Sequence, residues 1–230
     1  MKKIILYALS VIMSVLLIGC HKDDNFTTKE TIQQFQWEDL DWISEMSACC
    51  FNQYVISTDT TINIVDSIFN FCSSCFSEHK FRIPAVNDSI SDNEKYFYNT
   101  INQYISDYSI ASNIVVDFID SIPLSPYFIK LTNSEKIRVA VFSYTILGVS
   151  HAVSELQSGS KQPPRTSYNS ANGDSRFERQ LSSCLSYQLD GHFETLVGTM
   201  AYIASIPSSI LIDVAICGNE IYVGMWNHVK

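Results

Sequence analysis

The sequence predicts an all-α, or mainly α, fold: a helical bundle of five to seven helices. Three observations carry this. Glycine and proline are scarce, 8 and 6 in 230 residues, which favours long uninterrupted elements over turn-rich sheets. A hydroxyl residue followed three positions later by Glu occurs at Thr27/Glu30, Ser91/Glu94, Thr132/Glu135 and Ser175/Glu178. This is the capping-box form, which satisfies orphan N–H groups where a helix starts. Behind each box, apolar residues recur at steps of three to five, the mark of one buried helix face.

Taken in order, the first helix puts Ile32, Phe35, Leu40, Ile43, Met46, Cys50 and Tyr54 on one face. Thr58-Asp59-Thr60-Thr61 reads as a turn. A second helix carries Val65, Ile68, Cys72, Cys75 and Phe76 on one side, and Pro84 marks 82–91 as a connector. The third runs from Phe97 past Tyr108 and on through Val115 to Ile119, until Pro123 and Pro126 end it. From about Asn133 to Gln157 the helix is apolar nearly all round, which places it at the centre of the bundle. Arg138, Ser143, Thr145, Ser150 and His151 interrupt it too often for a membrane span.

Residues 158–174 form the one long loop, and a connector of that length is functional or disordered. The next helix carries Phe177, Leu181, Cys184, Leu185 and Leu189. Gly191 breaks or bends it before Leu196 to Ile203, and Pro207 closes the stretch. The end reads two ways. Residues 210–217 and 220–226 flank Gly218-Asn219 as in a short β-hairpin, which the β-branched residues favour. The first half also fits a short helix stopped at Gly218.

The N-terminus carries an address. Lys2 and Lys3 precede an apolar run from Ile4 to Ile18, shorter than the about 20 residues that span a bilayer. This is the anatomy of a cleaved secretory leader. Leu17-Ile18-Gly19-Cys20 resembles the lipobox of bacterial lipoproteins. That resemblance covers the N-terminal segment alone. It implies that Met1–Gly19 is discarded and that Cys20 becomes the acylated first residue. Each buried methylene is worth about 0.8 kcal/mol, and two or more chains give stable anchoring. Lys22-Asp23-Asp24 resembles the signal that sends lipoproteins of one group of anaerobic Gram-negative bacteria to the outer face of the outer membrane. The expected organisation is a signal peptide over 1–19, acylated Cys and tether over 20–28, and one helical domain over 29–230.

Charge narrows the partners. The net charge is −9, and losing Lys2 and Lys3 with the leader takes it to −11. Nucleic acid and anionic headgroups need clustered Lys and Arg, and the chain has no such cluster. The membrane is therefore met through the lipid, and the remaining partner is a protein, peptide or glycan. A supply of 13 Phe, 12 Tyr and 3 Trp suits a core and could also stack on sugars or anchor a partner.

With Cys20 spent on lipid, six cysteines remain: Cys49, Cys50, Cys72, Cys75, Cys184 and Cys217. An even number outside the cytoplasm points to disulfides. If the first two helices fold back about Thr60-Thr61, Cys49 faces Cys72, and Cys50 meets Cys75 within one helical turn. Cys184 with Cys217 would then tie the last helix to the C-terminal segment. Two competing readings are open. Cys72, Cys75 and His79 share a helix face that Cys49 or Cys50 could complete as a zinc site, and Cys72-Ser73-Ser74-Cys75 has redox spacing. No metal or cofactor is expected.

His151 and His192 are the histidines expected to be semi-buried, and an extracellular hydrolase or lyase would use one of them. Gly148-Val149-Ser150-His151 is not a nucleophile elbow, and His151 to Glu155 lacks the paired-histidine zinc spacing. Asp66-Ser67-Ile68, Asp88-Ser89-Ile90 and Asp120-Ser121-Ile122, with Asp59-Thr60-Thr61 close to them, resemble the O-glycosylation motif of the same bacterial group. That resemblance implies acceptors at Thr60, Ser67, Ser89 and Ser121. The function expected is a non-enzymatic binding module at the cell surface.

Overall fold

A computed structural model of the chain describes residues 35–55, 63–86, 90–157, 174–193 and 196–223. Among the described residues there are nine α-helices and no strands. They are α1 (Trp42–Cys50), α2 (Ile64–Glu78), α3 (Asp92–Tyr108), α4 (Asn113–Ser121), α5 (Pro126–Ile129), α6 (Asn133–Gln157), α7 (Asp174–Phe193), α8 (Leu196–Ala204) and α9 (Ser208–Val223). A 3-10 turn (Trp37–Leu40) leads into α1, and a π-helical turn (Phe51–Val55) leaves it. The all-α bundle is as the sequence predicts, with more and shorter helices than expected.

The bundle is built around α6. Its capping box forms as read: the Glu135 N–H donates to Thr132 Oγ1 (3.3 Å), and Glu135 Oε2 accepts from the Thr132 N–H (2.7 Å). Every residue from Arg138 to Ser150 is buried. By length and composition this helix could cross a membrane, yet 83 % of its apolar stretch lies inside the protein. It is the core helix.

α1 lies directly along α6, and Gly148 sets how close they come. A Cβ at position 148 would stand 2.2 Å from the Ser44 carbonyl oxygen and 2.7 Å from Ser47 Cβ. The neighbour on one side is backbone, which cannot rotate away. Gly148→Ala should therefore cost about 1–3 kcal/mol, the range for an overpacked core. Chemical denaturation of wild type and variant measures it.

Several local expectations are corrected. The C-terminal hairpin is absent: 208–223 is α9 throughout. Ile210, Leu211, Val214, Ala215 and Cys217 are all buried, a helical spacing whose β-branched members pack on the core instead of pairing as strands. Gly218 does not stop this helix; a Cβ there would lie 2.7 Å from Val55 Cγ1, so the small residue serves a close approach to the π-helical turn. Gly191 does not break α7, which runs on to Phe193.

The third predicted helix is divided into α3 and α4. Ser109 takes a positive φ of 97°, Ile110 is buried with its N–H donating to Ser182 Oγ (2.8 Å), and Ser112 Oγ caps the Ile114 N–H. No Gly or Pro announces this break. Ser175 lies inside α7 (Asp174–Phe193) and not before it, and Glu178 accepts from Ser109 Oγ. The Thr27/Glu30 box and nearly all of the 158–174 loop lie outside the described residues.

Candidate functional site

The site begins with a stripe of α3. Asn99, Asn102, Gln103, Ser106 and Asp107 fall at i, i+3, i+4, i+7 and i+8, so they share one helix face. That face turns toward α7, where Ser186 and Asp190 stand one turn apart. Together these seven side chains line a cleft of about 270 Å³, open on one side. Asn102 is 4 % exposed, and its Nδ2 donates to Asp190 Oδ1 (2.6 Å) and to the Ser186 carbonyl (3.5 Å). Its buried Oδ1 has no protein partner. Gln103 Nε2 donates to Asp107 Oδ2 (3.4 Å).

The chemistry of this lining is specific in kind. It offers three carboxamides, two carboxylates and two hydroxyls, with no Lys, Arg or His among them. Such a cleft repels anions and suits a ligand that presents hydroxyl or amino donors. The sequence reading passed over it by following apolar periodicity; the signal was a polar stripe at helical spacing.

The histidines fall elsewhere. His151 lies on the exposed side of α6, because Ala152, Val153 and Leu156 take the inward positions. His192 is half-buried near the end of α7, its Nε2 3.3 Å from Asp213 Oδ2 on α9. Its ring stacks on Tyr202 (4.3 Å), and the Tyr202 hydroxyl donates to Asp213 Oδ2 (2.9 Å). A histidine, an acid and a hydroxyl do gather, but they are committed to one another, and none of them lines the α3–α7 cleft.

A second buried network joins α3 to α6. Arg138 Nε donates to Glu94 Oε1 (2.7 Å) and Nη2 to Glu94 Oε2 (2.8 Å), a bidentate pair. The Tyr98 hydroxyl also donates to Glu94 Oε1 (2.7 Å). Glu94 therefore does not close the capping box expected of it. Ser91 Oγ caps the Glu94 N–H (3.2 Å), while the carboxylate turns inward to the only charge within the buried stretch of α6. Burial works against the arginine's charge, and the hydrogen bonds to Glu94 outweigh it and raise its pKa.

These surroundings fix an alkaline limit. Burial, then the acids Asp41, Glu38 and Asp120, push Tyr144 up to about 12. Burial, then Glu94 and Asp213 respectively, raise Tyr98 and Tyr202 well above the ordinary value. A pKa raised in the folded state means these phenols stabilise the fold below their unfolded pKa of about 10. That contribution is lost as pH climbs through the folded values. Titration followed by phenolate absorbance should show the exposed tyrosines ionising first and the buried ones only at higher pH, with unfolding.

The cysteines divide. Cys184 and Cys217 are bonded across α7 and α9, 33 residues apart, as expected. In this structure the sulfurs of Cys49, Cys50, Cys72 and Cys75 are not bonded, so neither cross-hairpin pair suggested for them is present. Among the described residues no three His, Cys, Asp or Glu side chains gather as a metal site. His79 stacks on Trp42 with 3.9 Å between ring centres.

Of the glycan acceptors, Ser121 is exposed at the end of α4 and Ser67 half-buried on α2. Thr60 and Ser89 lie outside the described residues, as do Cys20, Lys22, Asp23 and Asp24. Comparison with known proteins matches no family model, no curated sequence and no solved structure to this chain.

Proposed function

We propose that this protein is a lipid-anchored, surface-exposed lipoprotein of the outer membrane that binds a small polar group of a glycan or peptide without turning it over. The observation that carries the binding role is the α3–α7 cleft, whose seven lining residues are all polar and include no Lys, Arg or His. The anchoring half of the proposal draws on Cys20 within its lipobox-like setting and on Lys22-Asp23-Asp24 behind it. O-glycans at Thr60, Ser67, Ser89 and Ser121 belong to the same reading.

The test is a screen of the mature protein against immobilised glycans and peptides, repeated with Asn99→Ala/Asp107→Ala. Both positions are exposed, so the variant keeps its core. Loss of one or two hydrogen bonds worth about 0.5–1.5 kcal/mol each predicts roughly tenfold weaker binding, with the ligand recovered intact. Unchanged binding by the variant, or cleavage of the ligand, contradicts the proposal.

A second reading, a hydrolase or lyase acting on an extracellular polymer, draws on the gathering of His192, Asp213 and Tyr202. It requires that polymer cleavage be found and that His192→Ala abolish it. The exposed His151, which the sequence offered for the same role, has no comparable setting.

A further inference from the structure

The α1–α2 hairpin has a register fixed by its rings. At one end Trp42 of α1 meets Phe76 edge-on (5.3 Å) and stacks on His79 of α2 (3.9 Å). At the other, Tyr54 of the π-helical turn meets Phe71 edge-on (6.0 Å). Between these two clamps lie Cys50 and Cys72, 0 % and 3 % exposed, their thiols in hydrogen-bond contact and not bonded in this structure. Cys49, one residue away, is exposed, and Cys75 is half-buried at the rim. Cys72 is therefore partnered with Cys50 and not with Cys49, the pairing the sequence suggested.

We infer that Cys50 and Cys72 are joined in the mature, exported protein, giving a second disulfide that staples α1 to α2. The reaction is a two-electron oxidation: the two thiols surrender two protons and two electrons to a disulfide-bearing oxidant, which leaves as two thiols, and the Cys50–Cys72 bond forms. A hydrogen bond from Cys72, then burial, raises the Cys50 thiol, so once the chain is folded it holds little reactive thiolate. The bond therefore closes while the chain folds, alongside Cys184–Cys217. The inference rests on export to an oxidising compartment and not on what the α3–α7 cleft binds.

The test is differential alkylation of the native full chain and of the single variants Cys49→Ser and Cys75→Ser, purified from the exporting cell. Free thiols are blocked with one maleimide under denaturing, non-reducing conditions. Disulfides are then reduced and labelled with a second maleimide, and fragment masses assign each cysteine. The expected result is the second label alone on Cys50, Cys72, Cys184 and Cys217 in all three proteins. The first label on Cys72 in Cys49→Ser, or on Cys50 in Cys75→Ser, means the crossed pairing and overturns the inference. The first label on Cys50 and Cys72 with the second on Cys184 and Cys217 overturns it while leaving export intact. The first label on all four overturns the inference and the export reading together.

Discussion

Arg138→Met should lower the stability of the folded domain by about 3–5 kcal/mol, the cost of leaving a buried charge without its partner. Arg138 is 4 % exposed and Glu94 0 %. Removing the guanidinium strands a carboxylate that water does not reach. At a urea slope of about 2 kcal/mol per M for a small domain, the midpoint should fall by roughly 2 M. Glu94→Leu should cost a similar amount for the opposite reason. The informative variant removes the whole network: Glu94→Leu, Tyr98→Phe and Arg138→Met together. Tyr98 must change too, because its buried hydroxyl would otherwise lose its acceptor. Replacing a complete buried pair by apolar residues is commonly neutral or stabilising, so the triple variant should recover most of the loss. A triple variant as unstable as the single ones would mean that shape, not uncompensated charge, sets the cost.

The second large effect concerns Cys184 and Cys217. Their bond closes a stretch of 33 residues that contains α8 and the turn into α9. Restriction of the unfolded chain over a loop of this size is worth about 3–4 kcal/mol. The variant Cys184→Ala/Cys217→Ala should lose that much, seen as a lower denaturation midpoint with its slope little changed. Both sulfurs are fully buried, so a thiol reductant should leave the folded protein bonded and act only as it unfolds. Rapid reduction under native conditions would contradict the packing of α7 against α9.

The sequence disclosed most where one physical signal acted alone. The start of α6 was legible because Thr132 and Glu135 cap one another. The pairing of Cys184 with Cys217 followed from parity and position. Legibility failed where two demands met at one residue. Glu94 sits in a box yet serves Arg138, and no local pattern reveals a partner 44 positions away. Ser109 and Ser112 divide a continuous apolar period, since the break is stabilised by α7 and not by turn residues. At 210–217 β-branched side chains imitate a strand, while their burial at helical spacing decides for α9. Gly218 looked like a stop and is a contact. The α3–α7 cleft escaped because its stripe is polar and apolar periodicity does not register it.

What the protein is for depends on where it is held. The most direct measurement is the intact mass of the protein purified from its own cell envelope, taken beside metabolic labelling with palmitate. The account predicts a chain lacking Met1–Gly19, carrying fatty acyl groups on Cys20, and labelled by palmitate. A soluble, unlabelled protein that still retains its first nineteen residues would contradict it.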